Sequence, residues 1–311
     1  MGPDQDQELR GLFHNAPIPE VNMTSKVMNQ LHAEQRKKER FVVKYKISLM
    51  VIAGMLLTAS TGFAAMNYQA LHNSKGEVVY EEKQWDDSLN KNNTKDDQRR
   101  SLKSHQYSEE SLKEGTAGLF YIVSNNPNHE LETGYKSLGI HEAAALQNEL
   151  KGQSAKIFDQ VLDYKFESAT LHYKPIIWVH PLTAEKEHAI AEQLRKQAEQ
   201  SHKDYAMMPI EISKDHWNMV STYKKGKSQF FLNMMKSDDK TTLYTHEEQI
   251  SKREKLVIDG VDMMYTEVEV GRTITWVHNV PNSNFTITYS ISTGNDVSKE
   301  KLIQMVKLFL K

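Results

Sequence analysis

Few side chains of this chain have a type and spacing that could do chemistry. His141 and Glu142 open a His-Glu-x-x pattern, but the fifth position is Ala145, so the second imidazole of a zinc protease is missing. Thirteen histidines are scattered along the chain, and His188 and His202 stand fourteen residues apart on a predicted helix, too far to share a metal. We interpret these histidines as surface positions, and we predict no metal, no cofactor and no catalytic residue.

Other reactive motifs are also missing from the sequence. Cysteine is absent, which excludes disulfides, thiolate zinc sites and cysteine nucleophiles. No glycine-rich phosphate loop or Gly-x-Ser-x-Gly turn is present, and the aspartate pairs at 86–87, 96–97 and 238–239 lie in polar stretches typical of solvated turns. The net charge of −2 gives no reason to expect nucleic acid as a partner. The sequence therefore predicts a protein that is not an enzyme.

One segment indicates where the protein resides. Residues 47–66, ISLMVIAGMLLTASTGFAAM, carry no charge and are long enough for a helix that crosses a bilayer. Residues 34–46 hold six basic and two acidic side chains, whereas residues 67–86 hold two basic and four acidic ones. The positive-inside rule therefore places the N-terminus in the cytoplasm and the larger C-terminal part outside the cell membrane. We predict a single-pass protein with the lipid bilayer as a partner.

Two alternatives to a membrane span remain open. A cleaved signal peptide is suggested by Gly62 and Ala64, small residues at the spacing that a signal peptidase recognises, although a signal sequence has a much shorter basic region than these 46 residues. A buried helix of a soluble protein would need a large apolar shell, and the flanking sequence is polar.

Small residues recur along one face of the predicted span. Gly54, Thr58 and Gly62 are four residues apart and would let a second helix approach closely. Self-association through this face is one interpretation. The other is that small residues in a single span have no specific role.

The cytoplasmic segment, residues 1–46, is too short and polar for a globular domain. It contains a predicted amphipathic helix on which Val27, Met28 and Leu31 form a narrow apolar stripe. The stripe either docks on a cytoplasmic partner or copy of itself, or rests on lipid headgroups.

Outside the membrane we distinguish residues 67–115, a short strand followed by a polar juxtamembrane linker or solvated helix, and residues 116–311, an extracytoplasmic domain. Trp85 stands in a polar neighbourhood close to the span, where an interfacial anchor is one interpretation. Trp178, Trp217 and Trp276 fall in predicted strands and are expected in the core.

The predicted elements of the outer domain indicate an α+β fold. Hairpins are expected around Gly226 and Gly271, and helices at residues 141–150, at 154–162 and from Thr183 to about His202. Residues 285–292 alternate apolar and polar, which predicts a strand with one covered and one wet face. A helix capped by Ser298 should pack on that sheet. Consecutive hairpins with flanking helices favour a mainly antiparallel sheet.

The combined pattern resembles a family of bitopic, anti-sigma-factor-like membrane proteins of spore-forming Gram-positive bacteria. The resemblance lies in the stub IPEVNMTSKVMNQL, the basic run and span, and the C-terminal stretch from GVDMMYTEVEV to VSKEKLIQMVKLF. It implies a regulator whose outer domain senses a signal and whose stub holds a sigma factor. The chain departs from zinc-containing anti-sigma factors, because residues 1–46 hold no His/Cys cluster. The alternative is an anchored binding module, similar to a lipoprotein carrier, for an apolar ligand or envelope component.

Overall fold

The computed structural model describes residues 70–86 and 94–311. They belong to the second of two units into which the chain divides, Gly62–Lys311, whereas the first, Met1–Thr61, lies outside the described residues. The strands are β1 Ala70–His72, β2 Val78–Gln84, β3 Thr116–Ile122, β4 Leu131–Lys136, β5 Leu138–Ile140, β6 Gln160–Val161, β7 Tyr164–Pro175, β8 Tyr205–Ile210, β9 Ile212–Lys225, β10 Ser228–Ser237, β11 Thr241–Thr245, β12 Ile250–Ile258, β13 Val261–Val268, β14 Gly271–Asn279 and β15 Thr286–Gly294. The helices are α1 Lys95–Ser111, α2 Ala143–Glu149, α3 Ile176–Val179, α4 Ala184–Ser201 and α5 Lys299–Leu310, with a 3₁₀ turn at Glu247–Gln249.

A large antiparallel sheet forms the centre of the domain. Its strand order is β12-β13-β14-β15-β10-β9-β7-β5, and β6 pairs with β7. The predicted hairpin around Gly226 joins β9 to β10, and Gly226 has a φ of 60°, which a residue without a Cβ adopts at no steric cost. The predicted hairpin near Gly271 joins β13 to β14. The predicted α+β fold with a mainly antiparallel sheet is therefore confirmed.

The apolar face of this sheet is covered by helix α5. Its N-cap Ser298 accepts a hydrogen bond from the backbone N–H of Lys301, as the sequence predicted. Leu302, Val306 and Phe309 are almost fully buried, and the ring of Phe309 lies 6.2 Å from that of Trp276. α2 and the loop after it complete the same core cluster. The centre of the apolar face is thus occupied by the protein's own side chains.

A second, smaller layer consists of the sheet β4-β3-β8 between two helices. β3 is buried on both faces: Leu119 and Tyr121 pack with α4, whereas Phe120 and Ile122 pack with Leu112 just after α1. This explains its continuous apolar run. For the polar part of residues 67–115, the sequence predicted either a linker or a solvated helix, and the described residues form the helix α1.

A third layer, the small sheet β1-β2-β11, lies over the polar face of the large sheet. β2 pairs in parallel with β11, and Leu71 and Tyr80 pack on Met264 and Val277. The expectation of a wet face on β15 is therefore wrong in part. Thr286 and Thr288 are buried, and the hydroxyls of Thr275 and Ser290 lie 3.1 Å apart.

Two further local predictions are wrong. Residues 154–162 form a loop and the short strand β6: Val161 pairs with Tyr164, and the carbonyl of Phe158 accepts a hydrogen bond from the hydroxyl of Tyr223. Trp178 lies in the short helix α3 instead of a strand. Pro175 ends β7 because it lacks the N–H that would continue the strand ladder. By contrast, the long helix capped by Thr183 is confirmed.

Candidate functional site

A cavity of about 310 Å³ opens where β7 and β10 end and β9 begins, close to β4 and α3. Its walls come from five elements that are far apart in sequence. We call it the Tyr135 cavity, and it is lined by Tyr135, His172, Tyr173, Lys174, Trp178, His216, Trp217, Asn218, Met235, Lys236 and Ser237. The volume falls at the lower end of the range for small-molecule sites.

The cavity exists because β7 leaves the sheet at this point. The register between β7 and β9 shifts between Tyr173 and Lys174, and Pro175 then ends the strand. The backbone N–H of Ile176 bonds to the carbonyl of Glu211 at 2.9 Å, which fixes the start of α3. α3 carries Trp178 to the cavity wall. A strand irregularity of this kind commonly redirects side chains beside a site.

Three aromatic rings form one wall. The ring of Tyr135 stands almost perpendicular to the rings of His172 and Trp178, with centroid distances of 5.3 and 5.7 Å. Such edge-to-face contacts are the arrangement that aromatic quadrupoles favour. Tyr135 remains 38% exposed and Trp178 45%, so both rings offer surface to a ligand. Phe231 and Tyr244 are about as exposed, at 39% and 40%, but they do not line the cavity.

His172 is the neutral polar group of this wall. Its Nδ1 lies 2.7 Å from the Oγ of Ser137. Burial lowers the pKa of His172 below its ordinary value of 6.5, because the charged imidazolium loses its hydration. The ring is therefore neutral at pH 7 and can act as a hydrogen-bond donor or acceptor.

The charges around the cavity are compensated by neighbouring side chains. The ammonium of Lys236, whose side chain is 6% exposed, donates to Asp215 at 3.0 Å and to Gln153 at 2.6 Å. The ammonium of Lys174 lies 3.7 Å from Asp239. Because each lysine has a carboxylate partner, the cavity offers no strong excess charge.

His216 belongs to a Ser-His-Asp series of contacts. Its Nδ1 lies 2.9 Å from Ser213 Oγ, and its Nε2 lies 2.7 Å from Asp238 Oδ1. The hydrogen bond from His216 lowers the pKa of Asp238. Serine hydrolases connect the same three residue types through the two ring nitrogens, with the serine facing the substrate. Ser213 does not line the Tyr135 cavity, so we assign this series to holding the ends of β9 and β10 together.

Trp217 supplies an unusual buried donor beside the cavity. The residue is 2% exposed, and its indole N–H has no acceptor among the residues that the structure describes. Most buried polar groups are hydrogen-bonded. Trp217 and Trp276 are both in the core, as predicted, whereas Trp178 is not.

The structure describes only some of the residues that the sequence analysis named. Val27, Met28, Leu31, Gly54, Thr58 and Gly62 lie outside the described residues, as does the predicted span. No helix within 70–86 and 94–311 has the length and apolarity to cross a membrane. His141 and Glu142 are exposed just before α2. His188 is exposed on α4, and His202 is exposed at its end. No group of three potential metal ligands occurs in the described ranges.

The Tyr135 cavity has no signature in the sequence. Tyr135 and His172 carry no motif, and they meet only through tertiary packing. The one usable signal was Pro175 inside an apolar run, since proline there interrupts a strand and can turn the following residues out of the sheet.

Comparisons with protein-family models, with curated proteins and with solved structures give no match to this chain.

Proposed function

We propose that this protein is a single-pass membrane regulator, similar to anti-sigma factors, whose extracytoplasmic domain binds a small ligand in the Tyr135 cavity. The observation that carries the proposal is the partly exposed pair of rings, Tyr135 and Trp178, beside a cavity of about 310 Å³. Concave sites with aromatic walls and a few polar groups are the usual places for small ligands.

The lining indicates the chemistry of the ligand. Lys174 and Lys236 already have carboxylate partners, which disfavours a strongly charged ligand. A purely apolar ligand is also disfavoured, because the neutral imidazole of His172 and the amide of Asn218 would lose their hydration without gaining a hydrogen bond. We therefore expect a neutral, amphipathic molecule with an apolar face for Trp178 and hydrogen-bonding groups at its rim. Its size should be about that of two rings, since a cavity of about 150 Å³ already holds benzene.

The cytoplasmic half of the proposal rests on the sequence. The predicted helix in residues 1–46 has an apolar stripe of Val27, Met28 and Leu31 on an otherwise polar surface. A stripe of this kind suits docking into an apolar groove of a partner, as short amphipathic helices do. A sigma factor is the partner that the family resemblance implies.

The stripe provides the first test. Glutamate at Val27, Met28 and Leu31 should disrupt the contact and deregulate transcription, measured as the transcript profile of cells that carry the full chain. The control is Gln30→Glu with Lys37→Glu, which lowers the charge by the same three units on another face of the helix and should leave the profile unchanged. Identical profiles for both variants and the wild type would discredit the regulator.

The cavity provides the second test. Trp178→Ala should abolish the transcriptional response to whichever envelope condition changes the wild-type profile, because it removes one wall of the site. Val270→Ala is the matched control, since Val270 is 78% exposed and does not line the cavity.

The same cavity also favours the second candidate, an anchored binding module without a signalling role. The variant with glutamate at Val27, Met28 and Leu31 distinguishes the regulator from the binding module. A module that only binds a ligand predicts no transcriptional change from Val27, Met28 and Leu31, while it still requires Trp178 for ligand binding.

A further inference from the structure

The small sheet β1-β2-β11 has one face that packs inward and one that does not. Tyr80 and Glu82 of β2 are 5% exposed and point to the large sheet. Because side chains alternate along a strand, Glu81, Lys83 and Trp85 point to the other side. Tyr244 lies opposite Lys83 in β11, so it shares that side. We call this side the outward face.

Aromatic rings gather at one end of the outward face. The ring of Trp85 lies 6.4 Å from that of Tyr244 and 5.6 Å from that of His246. The backbone N–H of Trp85 bonds to the carbonyl of Thr245 at 2.7 Å, which holds the tryptophan beside β11. Tyr244 is 40% exposed. Tryptophan and tyrosine with one apolar and one polar end are enriched where a protein meets a membrane surface.

Two lysines share the outward face with these rings: Lys83 lies opposite Tyr244, and Lys240 immediately precedes β11. The ammonium groups of Lys83 and Lys240 each lie 2.9 Å from the carboxylate of Glu81, so these three side chains carry one net positive charge. The two lysine side chains are 53% and 47% exposed. Long lysine stems can lie along apolar surface while their charged ends reach anionic headgroups.

The connection to the predicted span restricts where this face can be. Only three residues, 67–69, separate the end of the span at Met66 from the start of β1 at Ala70. A fully extended connection of that length reaches about 14 Å. If residues 47–66 span the membrane, β1 therefore starts close to the headgroup layer, which is several ångströms thick. The end of β2 lies at the same place, because the two strands are antiparallel and Ala70 pairs with Glu81.

From these observations we propose that the outward face, defined by Lys83, Trp85, Lys240, Tyr244 and His246, rests on the lipid headgroups of the outer leaflet. The inference relies on the single span proposed above, and it does not require the Tyr135 cavity to bind a ligand. The partner is the lipid surface itself, because the rings and the lysines match its two chemical layers.

Quenching by brominated lipid tests this contact. The full chain is placed in lipid nanodiscs, with or without phospholipid brominated near the top of the acyl chains, and its tryptophan emission is compared. The chain has four tryptophans, and Trp217 and Trp276 are 2% exposed in the core. Contact of Trp85 with lipid predicts a loss of up to about a quarter of the emission, since it is one of four tryptophans.

Two variants make the result specific. Trp85→Phe should abolish the quenching, and Trp178→Phe, the matched control, should retain it. The proposal would be overturned if quenching were equal in the wild type and in Trp85→Phe, or absent from both. Quenching would be absent, for example, if a second copy of the chain covered this face. Far-UV circular dichroism checks that both variants are folded.

The same preparation separates the two proposals. Co-elution of the chain with the nanodisc reports on the span, and quenching reports on the outward face. A chain that does not enter nanodiscs overturns both the face and the membrane regulator. A chain that enters without quenching at Trp85 overturns the face alone.

Discussion

The tightest approach between helix and strand in the smaller layer occurs at Gly134. A methyl group added there would stand 1.9 Å from Ser108 Oγ of α1 and 2.6 Å from Phe120 Cε2 of β3. Both neighbours are fully buried, and the Ser108 hydroxyl already donates to the carbonyl of Ser104 at 2.7 Å. In Gly134→Ala, either the Ser108 hydroxyl rotates away from its bond to Ser104 or α1 moves away from the sheet. Overpacking of this kind costs about 1–3 kcal/mol, and we expect the upper end, since both neighbours are fully buried.

Gly139→Ala is the matched control in the neighbouring strand. No atom lies within 4 Å of the position that its added methyl would take. Because alanine has fewer unfolded conformations than glycine, this variant should be about 0.5 kcal/mol more stable. Urea titration of the full chain in nanodiscs, followed by tryptophan emission, measures both. With a slope of about 3 kcal/mol per molar urea, Gly134→Ala should lower the midpoint by about 1 M.

A double variant tests the cause of this loss. Ser108→Ala removes the closest atom, so Ser108→Ala with Gly134→Ala should be less destabilised than the sum of the single changes. Equal midpoints for Gly134→Ala and Gly139→Ala would refute the close approach. Strict additivity in the double variant would show that Ser108 is not what the methyl meets.

Two further predictions concern charged groups. Arg100 is buried and contacts Asp97, Glu130 and Glu132. Arg100→Met should destabilise the domain by about 3 kcal/mol, because these carboxylates lose their cation. The exposed Arg99 should tolerate methionine, and the same urea titration measures both variants. The hydrogen bond from His216 lowers the pKa of Asp238, so the ionised Asp238 stabilises the folded protein. This stabilisation is complete above the ordinary aspartate pKa of about 3.9, and it is lost as the pH falls through the lower pKa of the folded state. Asp238→Asn should therefore lower the urea midpoint at pH 6, and the difference from the wild type should shrink as the pH falls below the ordinary aspartate pKa; a difference independent of pH would contradict this assignment.

Local signals in the sequence predicted the local elements well. Thr183 and Ser298 each cap a helix through a side-chain hydrogen bond to a backbone N–H three residues later, and this contact involves neighbours in the chain. The turn at Gly226 has the same character. The predictions that failed, residues 154–162 and the neighbourhood of Trp178, depend on a contact with a distant strand and on a strand ending that tertiary packing imposes.

The cavity could not be predicted in the same way. Tyr135 and His172 are 37 positions apart in the sequence and meet only where β7 departs from its register with β9. The parallel pairing of β2 with β11 joins residues about 160 positions apart and has no local signal. The predicted span, its small-residue face and the cytoplasmic stripe stay predictions.

The pairing of β2 with β11 has a consequence for any protease that cuts the chain between β2 and α1. Five residue pairs, from Tyr80 with Thr241 to Gln84 with Thr245, and the ion pair of Glu82 with Arg253 at 2.9 Å would still join the two fragments. Breaking the covalent chain and separating the two fragments are therefore distinct events. Separation would occur only when β2 withdraws from the sheet, so a nicked molecule would stay together as one folded unit.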